Sequence, residues 1–403
     1  MLKLALRNLL RQRTRTGLTL AAIVFGVVGL VLSGGFVRDI YVQLGEAVIH
    51  SQSGHLQIAR EGFFTYGSRK PDEYLIDEAE TVAAAVAAHP AVSDVMARVV
   101  FSGLVNNGRA DVAVAVQGVE PESEAKLGTH VTVSSGRRLG KADTYAIMLG
   151  RGVADALQLG VGDQVALLAT MHGGGLNMLD FEVVGTFQTF SRDFDARAAQ
   201  IPLETARELL DSAGVNTLVA TLDETRNTGQ VAAALRGEFA GQGLELLTWP
   251  ELNDFYSKTV TLYETQFGGL RLIILVMVLL SVANSVNMGA LERLGEFGTM
   301  MALGNRHVQI LKLIVLENAL LGLIGAAIGV LAGVALAWLV SRIGIPMPPP
   351  PNADIGYVAS IRIVPAELVL AFLVGFVATV VASLVPARRL YRTPVIEALR
   401  QNI

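Results

Sequence analysis

The sequence predicts a helical membrane protein, with four transmembrane spans and a large α+β extracytoplasmic domain inserted between spans one and two. Three observations lead there. Hydrophobic residues make up 52% of the 403 positions, too many for a wholly soluble chain of ordinary composition. Four long stretches are almost free of charge. Charge is also segregated along the chain: residues 41–265 hold 16 Lys+Arg against 29 Asp+Glu, and the remainder holds 16 against 7.

Span one, residues 18–37, carries no charge, and at about 1.5 Å per helical residue it reaches about 30 Å, the thickness of the hydrocarbon layer. The second run is Leu272 to Leu291, the third Leu313 to Val340 interrupted by Glu317, and the fourth Pro365 to Val385 with Glu367 at its entrance. A charge at mid-bilayer costs roughly 2.5–3.5 kcal/mol or more, so such runs rarely arise in soluble domains. The basic start followed by an apolar run could suit a signal peptide. With no clean small-residue cleavage pattern after it, the run reads as an uncleaved first helix.

Orientation follows from the basic residues beside the spans. Lys3, Arg7, Arg11, Arg13 and Arg15 precede span one, Arg293 and Arg306 lie between spans two and three, and Arg388, Arg389, Arg392 and Arg400 follow span four. The positive-inside rule puts all three groups, and both termini, in the cytoplasm. Arg38, Arg271, Arg342 and Arg362 oppose this at the outer ends, where a long side chain can reach the interface. The domains expected are residues 1–40, a cytoplasmic surface helix and span one; 41–265, the outer domain with helical stalks; and 266–403, spans two to four with a cytoplasmic loop and tail.

In span three, Gly325, Gly329 and Gly333 recur every fourth residue, the spacing that lets helix backbones approach inside lipid. A seam between two copies and packing within one four-helix unit explain them equally well. Glu317, about one and a half turns past Lys312, lies near the cytoplasmic surface and is expected to pair or reach water there. Beyond span one, Ile40, Tyr41, Leu44, Val48 and Ile49 continue a helical period, and Tyr256, Val260, Tyr263 and Phe267 form a matching run before span two. They predict two packed helical stalks.

The outer domain alternates short β-branched runs (Val112 to Val116, Gln164 to Leu168, Phe181 to Val184) with helical ones (Glu78 to Ala88, Leu203 to Leu210). Gly150 to Ala154 followed by Leu159 to Asp163 reads as a helix ending in glycines and a tight turn into a strand, and Gly173 to Gly175 as a hairpin tip. Signs of catalysis are lacking. There is no HExxH, GxSxG or DxDxDG pattern, the six histidines (50, 55, 89, 130, 172, 307) are scattered in sequence, and the absence of cysteine excludes disulfides and thiolate metal sites. The acidic balance of the outer domain argues against nucleic acid as a partner.

The most specific signal is the loop between spans two and three, which runs from Glu292 to Arg306 as ERLGEFGTMMALGNR. Its Arg293, Glu296, Phe297, Gly298, Ala302, Leu303, Gly304 and Arg306 resemble the coupling segment of the FtsX/MacB/LolC-LolE-type ABC permease superfamily. The tail resembles the family's terminal pattern through Pro386, Arg388, Arg389, Pro394, Leu399 and Arg400, although Tyr391 and Arg392 stand where alanines are common. Gly150 to Asp163 and Phe181 to Phe187 look most like the lipoprotein-releasing LolC/LolE branch.

The resemblance implies a permease subunit without catalytic residues, cofactor or metal of its own. Its partners would be a cytoplasmic ABC ATPase dimer holding ATP and magnesium, a second copy or paralogue of the permease, and the lipid bilayer. No GxxxxGK[ST] pattern occurs that would let this chain cradle a nucleotide itself. Residues 292–306 would dock on the ATPase, with Phe297, Met301 and Leu303 as apolar anchor and Glu292, Glu296 and Arg306 as polar rim; solvated loop charge is the plainer reading of that rim. The implied location is a bacterial inner membrane, and the implied task is extraction or export of a lipoprotein, lipid or other amphiphile. MacB-like efflux of peptides or antibiotics and FtsX-like signalling to a periplasmic hydrolase are the alternatives. The segment Thr170 to Asp180 is short where one lipoprotein-releasing permease carries a hairpin that recruits a carrier, which leaves a periplasmic lipoprotein carrier or adaptor as an open partner.

Overall fold

The computed structural model describes residues 7–9, 11, 13–67, 71–76, 78–349 and 356–391. It divides into two compact units, residues 43–258 with 348–357, and residues 1–42 with 259–347 and 358–403.

Helix α1 (Arg13–Val48) enters the first unit at its C-terminal end and widens into a π-turn, Ile49–Ser53. There follow β1 (Leu56–Arg60), α2 (Ala79–Ala87), β2 (Val92–Asn106), β3 (Asp111–Val119), α3 (Pro121–Leu127), β4 (Thr132–Gly136), β5 (Ala146–Gly150) and α4 (Arg151–Leu157). The unit is completed by β6 (Gln164–Thr170), β7 (Leu176–Gln188), β8 (Ala198–Pro202), α5 (Leu203–Leu210), β9 (Thr217–Leu222), α6 (Thr228–Glu238) and β10 (Leu244–Thr248). The strands form one mixed sheet in the order β10-β1-β9-β2-β3-β8-β5-β7-β4, and β6 pairs with both β2 and β7. That double pairing closes a ring, β2-β3-β8-β5-β7-β6 and back to β2, parallel only at β3/β8 and β5/β7.

Apolar residues of the ring, among them Phe101, Val116, Leu149, Leu167, Phe181 and Ile201, bury together with Val153 and Leu157 of α4 and Leu209 of α5. Closure depends on Gly103, because a Cβ there would lie 2.9 Å from Leu167 Cδ1 and 3.0 Å from the Leu168 carbonyl oxygen. Two local readings meet the structure differently. The hairpin tip is as expected, with Gly173 and Gly174 at φ 95° and 96° between β6 and β7. Helix α4, however, ends on Gln158 in the left-handed region (φ 53°) and not on a glycine, and Asp163 Oδ2 then takes the Gly160 amide at 2.7 Å to set the turn into β6.

The second unit holds the remaining helices, α7 (Asp254–Glu292), α8 (Leu294–Ala302), α9 (His307–Ile343) and α10 (Pro365–Tyr391). Helices α1, α7, α9 and α10 each contain a stretch long and apolar enough to cross a membrane. The glycines of α9 settle against α1 in register: Cβ atoms built on Gly325, Gly329 and Gly333 would lie 2.9, 2.7 and 2.9 Å from side-chain atoms of Ile23, Val27 and Val31. The small-residue face is thus filled inside one chain. Outward along α1, Val37, Ile40 and Tyr41 pack with Val260, Tyr263 and Phe267, which is the stalk pairing that the periodicity predicts.

Two of the four arginines at the outer ends of the spans are held by carboxylates. Asp39 is buried and accepts hydrogen bonds from Arg362 Nε at 2.9 Å and from the Ser360 amide and hydroxyl, while Arg271 pairs with Glu367 at 3.1 Å. Arg342 lies over the Trp338 ring at 4.3 Å. In the tail, Pro386, Arg388 and Arg389 continue the helical backbone of α10, and Pro394, Leu399 and Arg400 lie outside the described residues.

Candidate functional site: the turn between spans two and three

The loop recognised in the sequence folds around helix α8, and the residue capping that helix is also its main attachment. Arg293, at the N-cap, is buried. Its Nη1 donates to Glu317 Oε2 of α9 at 2.8 Å, its Nε donates to Glu296 Oε2 at 3.1 Å, and its guanidinium lies 5.0 Å from the centre of the Phe297 ring. The second oxygen of Glu317 accepts from Asn8 Nδ2 at 2.6 Å, and Arg11 reaches Glu296 at 3.5 Å. The segment before α1, helix α8 and helix α9 therefore share one carboxylate network. Burial works against the charge on Arg293, but the hydrogen bonds it donates to Glu317 and Glu296 outweigh it and hold the pKa above the ordinary arginine value.

Phe297 corrects an expectation. The resemblance makes it part of the docking anchor, yet only 1% of it is exposed, and it packs with Val286, Ile310 and Ile314 in the core of this unit. The cause is the arginine beside it: a guanidinium drawn inward to Glu317 brings the i+4 ring in under it. Gly298 is buried as well and Met301 half-buried. Exposed are Glu292, Glu296, Ala302, Gly304 and Arg306, with Leu303 at 80%.

The exposed turn is shaped by Gly304. At φ 95° it donates its amide to the Met301 carbonyl, and the Asn305 amide bonds the Met300 carbonyl, the paired bonds of a left-handed helix stop. The Arg306 amide then donates to Gln309 Oε1 at 2.9 Å, which opens α9. Chemically, the arrangement is a rigid elbow with an apolar tip and a charged flank, attached from within. Asn8 was missed in the sequence, where an amide among basic and leucine residues gives no signal; Asp39 was missed although a carboxylate directly after an apolar run is visible.

Comparison with known proteins decides the family. Residues 269–395 match the family model of the FtsX-like permease C-terminal, and residues 16–238, more than half of the chain, match that of the MacB-like periplasmic core domain. The chain belongs to the FtsX/MacB-like ABC transporter permeases. It is 25% identical to the lipoprotein-releasing system transmembrane protein LolC of Neisseria meningitidis, across 97% of both chains. It is 22% identical to LolE of Haemophilus influenzae, covering 94% of this chain and 92% of that one. To the macrolide export ATP-binding/permease protein MacB of Hyphomonas neptunium it is 24% identical over 98% of its own length, which spans 60% of that protein. The permease is a multi-pass inner-membrane protein, and the strand-ringed unit between its first two spans is its periplasmic domain.

Proposed function

We propose that this permease converts movement of a separate cytoplasmic ATPase dimer into movement of its periplasmic domain, and that its cargo is a lipoprotein or similar amphiphile taken from the outer leaflet. The observation that carries the reading is the buried Arg293–Glu317 pair, which fastens the exposed elbow to a membrane helix. Displacing Leu303 then displaces α9, whose glycine face engages α1, and α1 runs without interruption toward the periplasmic domain. ATP and magnesium belong to the partner, a second permease completes the assembly, and both termini are cytoplasmic. The full-length similarity to LolC and LolE, named for lipoprotein release, favours that cargo over the macrolide export for which MacB is named.

The test is Leu303→Asp. A carboxylate set into an apolar pocket of the ATPase lacks a partner there, and removing that kind of match costs roughly 2–5 kcal/mol. The variant is expected to release the ATPase from detergent-solubilised complexes while the four spans remain inserted. Full retention of the ATPase with undiminished turnover would remove the elbow from the mechanism. Mass spectrometry of protein and lipid co-purified in mild detergent identifies the cargo; recovery of a peptide or drug with an outer-membrane partner would replace the lipoprotein reading by efflux.

A further inference from the structure

Two histidines five residues apart, His50 and His55, meet a distant third, His130, where α1 becomes the π-turn. The His50 ring stacks on that of His130 at 5.6 Å between centres and meets that of His55 edge-on at 5.8 Å. Glu46, one turn earlier, approaches His50 Nε2 at 3.2 Å with one oxygen and accepts the Thr225 hydroxyl at 2.7 Å with the other. His55 Nδ1 accepts the backbone amide of Leu222, the last residue of β9, at 3.1 Å, so its proton resides on Nε2 and points to Thr225 Oγ1 at 3.1 Å. The bonds thus run in one direction: Leu222 amide to His55, His55 to Thr225, Thr225 to Glu46. His50 Nδ1 is buried and makes no hydrogen bond among the described residues.

Other charges packed around the turn already have partners. Arg98 donates to the Gln52 carbonyl at 2.6 Å and is paired with Glu124, Glu224 is paired with Arg226, and Glu251 with Arg236. Glu46 is therefore the one carboxylate on the imidazoles among the described residues, enough to match a single imidazolium. The three rings are not arranged to hold a metal ion.

We propose that Glu46, His50, His55 and His130 form a proton-operated joint at the root of the periplasmic domain, closed when the imidazoles are neutral and opened when acidification adds more than one proton. The proposal rests on the reading that α1 carries movement to this domain. Glu46 can match one imidazolium; a second in the His50–His130 stack sets like charges face to face, and a proton on His55 Nδ1 turns an acceptor into a donor facing the Leu222 amide, so that bond is lost. Burial and the neighbouring His50 both oppose charge on His55, holding its pKa at about 4, and the same two causes lower that of His130. The joint accordingly stays closed at neutral pH. A π-turn fits such a place, since these irregular turns recur at functional sites.

The experiment is hydrogen–deuterium exchange of the full chain in lipid nanodiscs at pH 7.5, 6.5, 5.5 and 5.0, with times corrected for the intrinsic exchange rate. Opening linked to one proton loses protection by up to about tenfold per pH unit. Amides of Ile49–His55 and of Leu222 are expected to lose protection together, by about tenfold or more in total. His50→Gln and His130→Gln should flatten the response, and His89→Gln should leave it intact. A flat wild-type profile overturns the joint even if the variants fold poorly, and so does an unchanged response in both Gln variants. Exchange is read without the ATPase, so either failure leaves the coupling assignment of Leu303 standing.

Discussion

Arg293 and Glu317 are twenty-four positions apart, and each is buried because the other is. A buried ion pair adds little net stability, but stripping one partner leaves a naked charge at a cost of about 3–5 kcal/mol. Glu317→Leu is therefore expected to lower the thermal midpoint of the detergent-solubilised protein sharply. The double variant Arg293→Met with Glu317→Leu should recover most of the loss, as read by scanning calorimetry. If the pair also transmits movement, the recovered double variant will still show weakened stimulation of ATP hydrolysis. His55 makes the pH prediction at this scale. Its folded pKa of about 4 lies below the ordinary 6.5, so between those values the unfolded chain binds the extra proton. Stability of the periplasmic domain should fall as pH drops from about 6.5 towards 4 and show no contribution from this residue above that window. Urea midpoints of the full chain and of His55→Asn, followed by Trp249 fluorescence, check it; a wild-type slope no steeper than the variant's would refute it.

The helices and strands show what a chain can reveal about itself. Spans were legible because lipid tolerates no charge over about 20 residues, and the glycine spacing in α9 was legible because only small side chains admit a second backbone. What the glycines faced was not, since Ile23, Val27 and Val31 are ordinary members of an apolar run. The elbow motif was visible, but Phe297 had the look of an anchor until its neighbour's ion pair drew it inside. The strand ring was invisible for a similar reason: β2 meets β6 some sixty residues later, and alternation in either strand does not name its neighbour. At this scale Gly329→Leu should separate α9 from α1, since even a Cβ there would lie 3.3 Å from the Val24 backbone as well as 2.7 Å from Val27. Overpacking of this kind costs about 1–3 kcal/mol, and Val27→Ala should restore part of it in thermal unfolding. Gly304→Val should disturb the elbow and weaken ATPase binding, while Gly304→Asn, tolerant of the left-handed region, should retain it in pull-downs.

For the whole molecule, the proposed topology makes a direct prediction, helped by the absence of native cysteine. Ala240→Cys, exposed on the periplasmic unit, should react with a membrane-impermeant thiol reagent in spheroplasts. Asn305→Cys should react only after permeabilisation, and the reverse order would invert the orientation. The closed strand ring has a mechanical meaning. A linkage that moves cargo by pulling is useless if its far end stretches, and a domain without disulfides has only hydrogen bonds and packing with which to resist. In an open sheet a tug can peel strands from an edge one bond at a time; in a ring each strand has a neighbour on both sides, so the load falls on many bonds at once. Under an optical trap the ring should therefore yield in a single abrupt step.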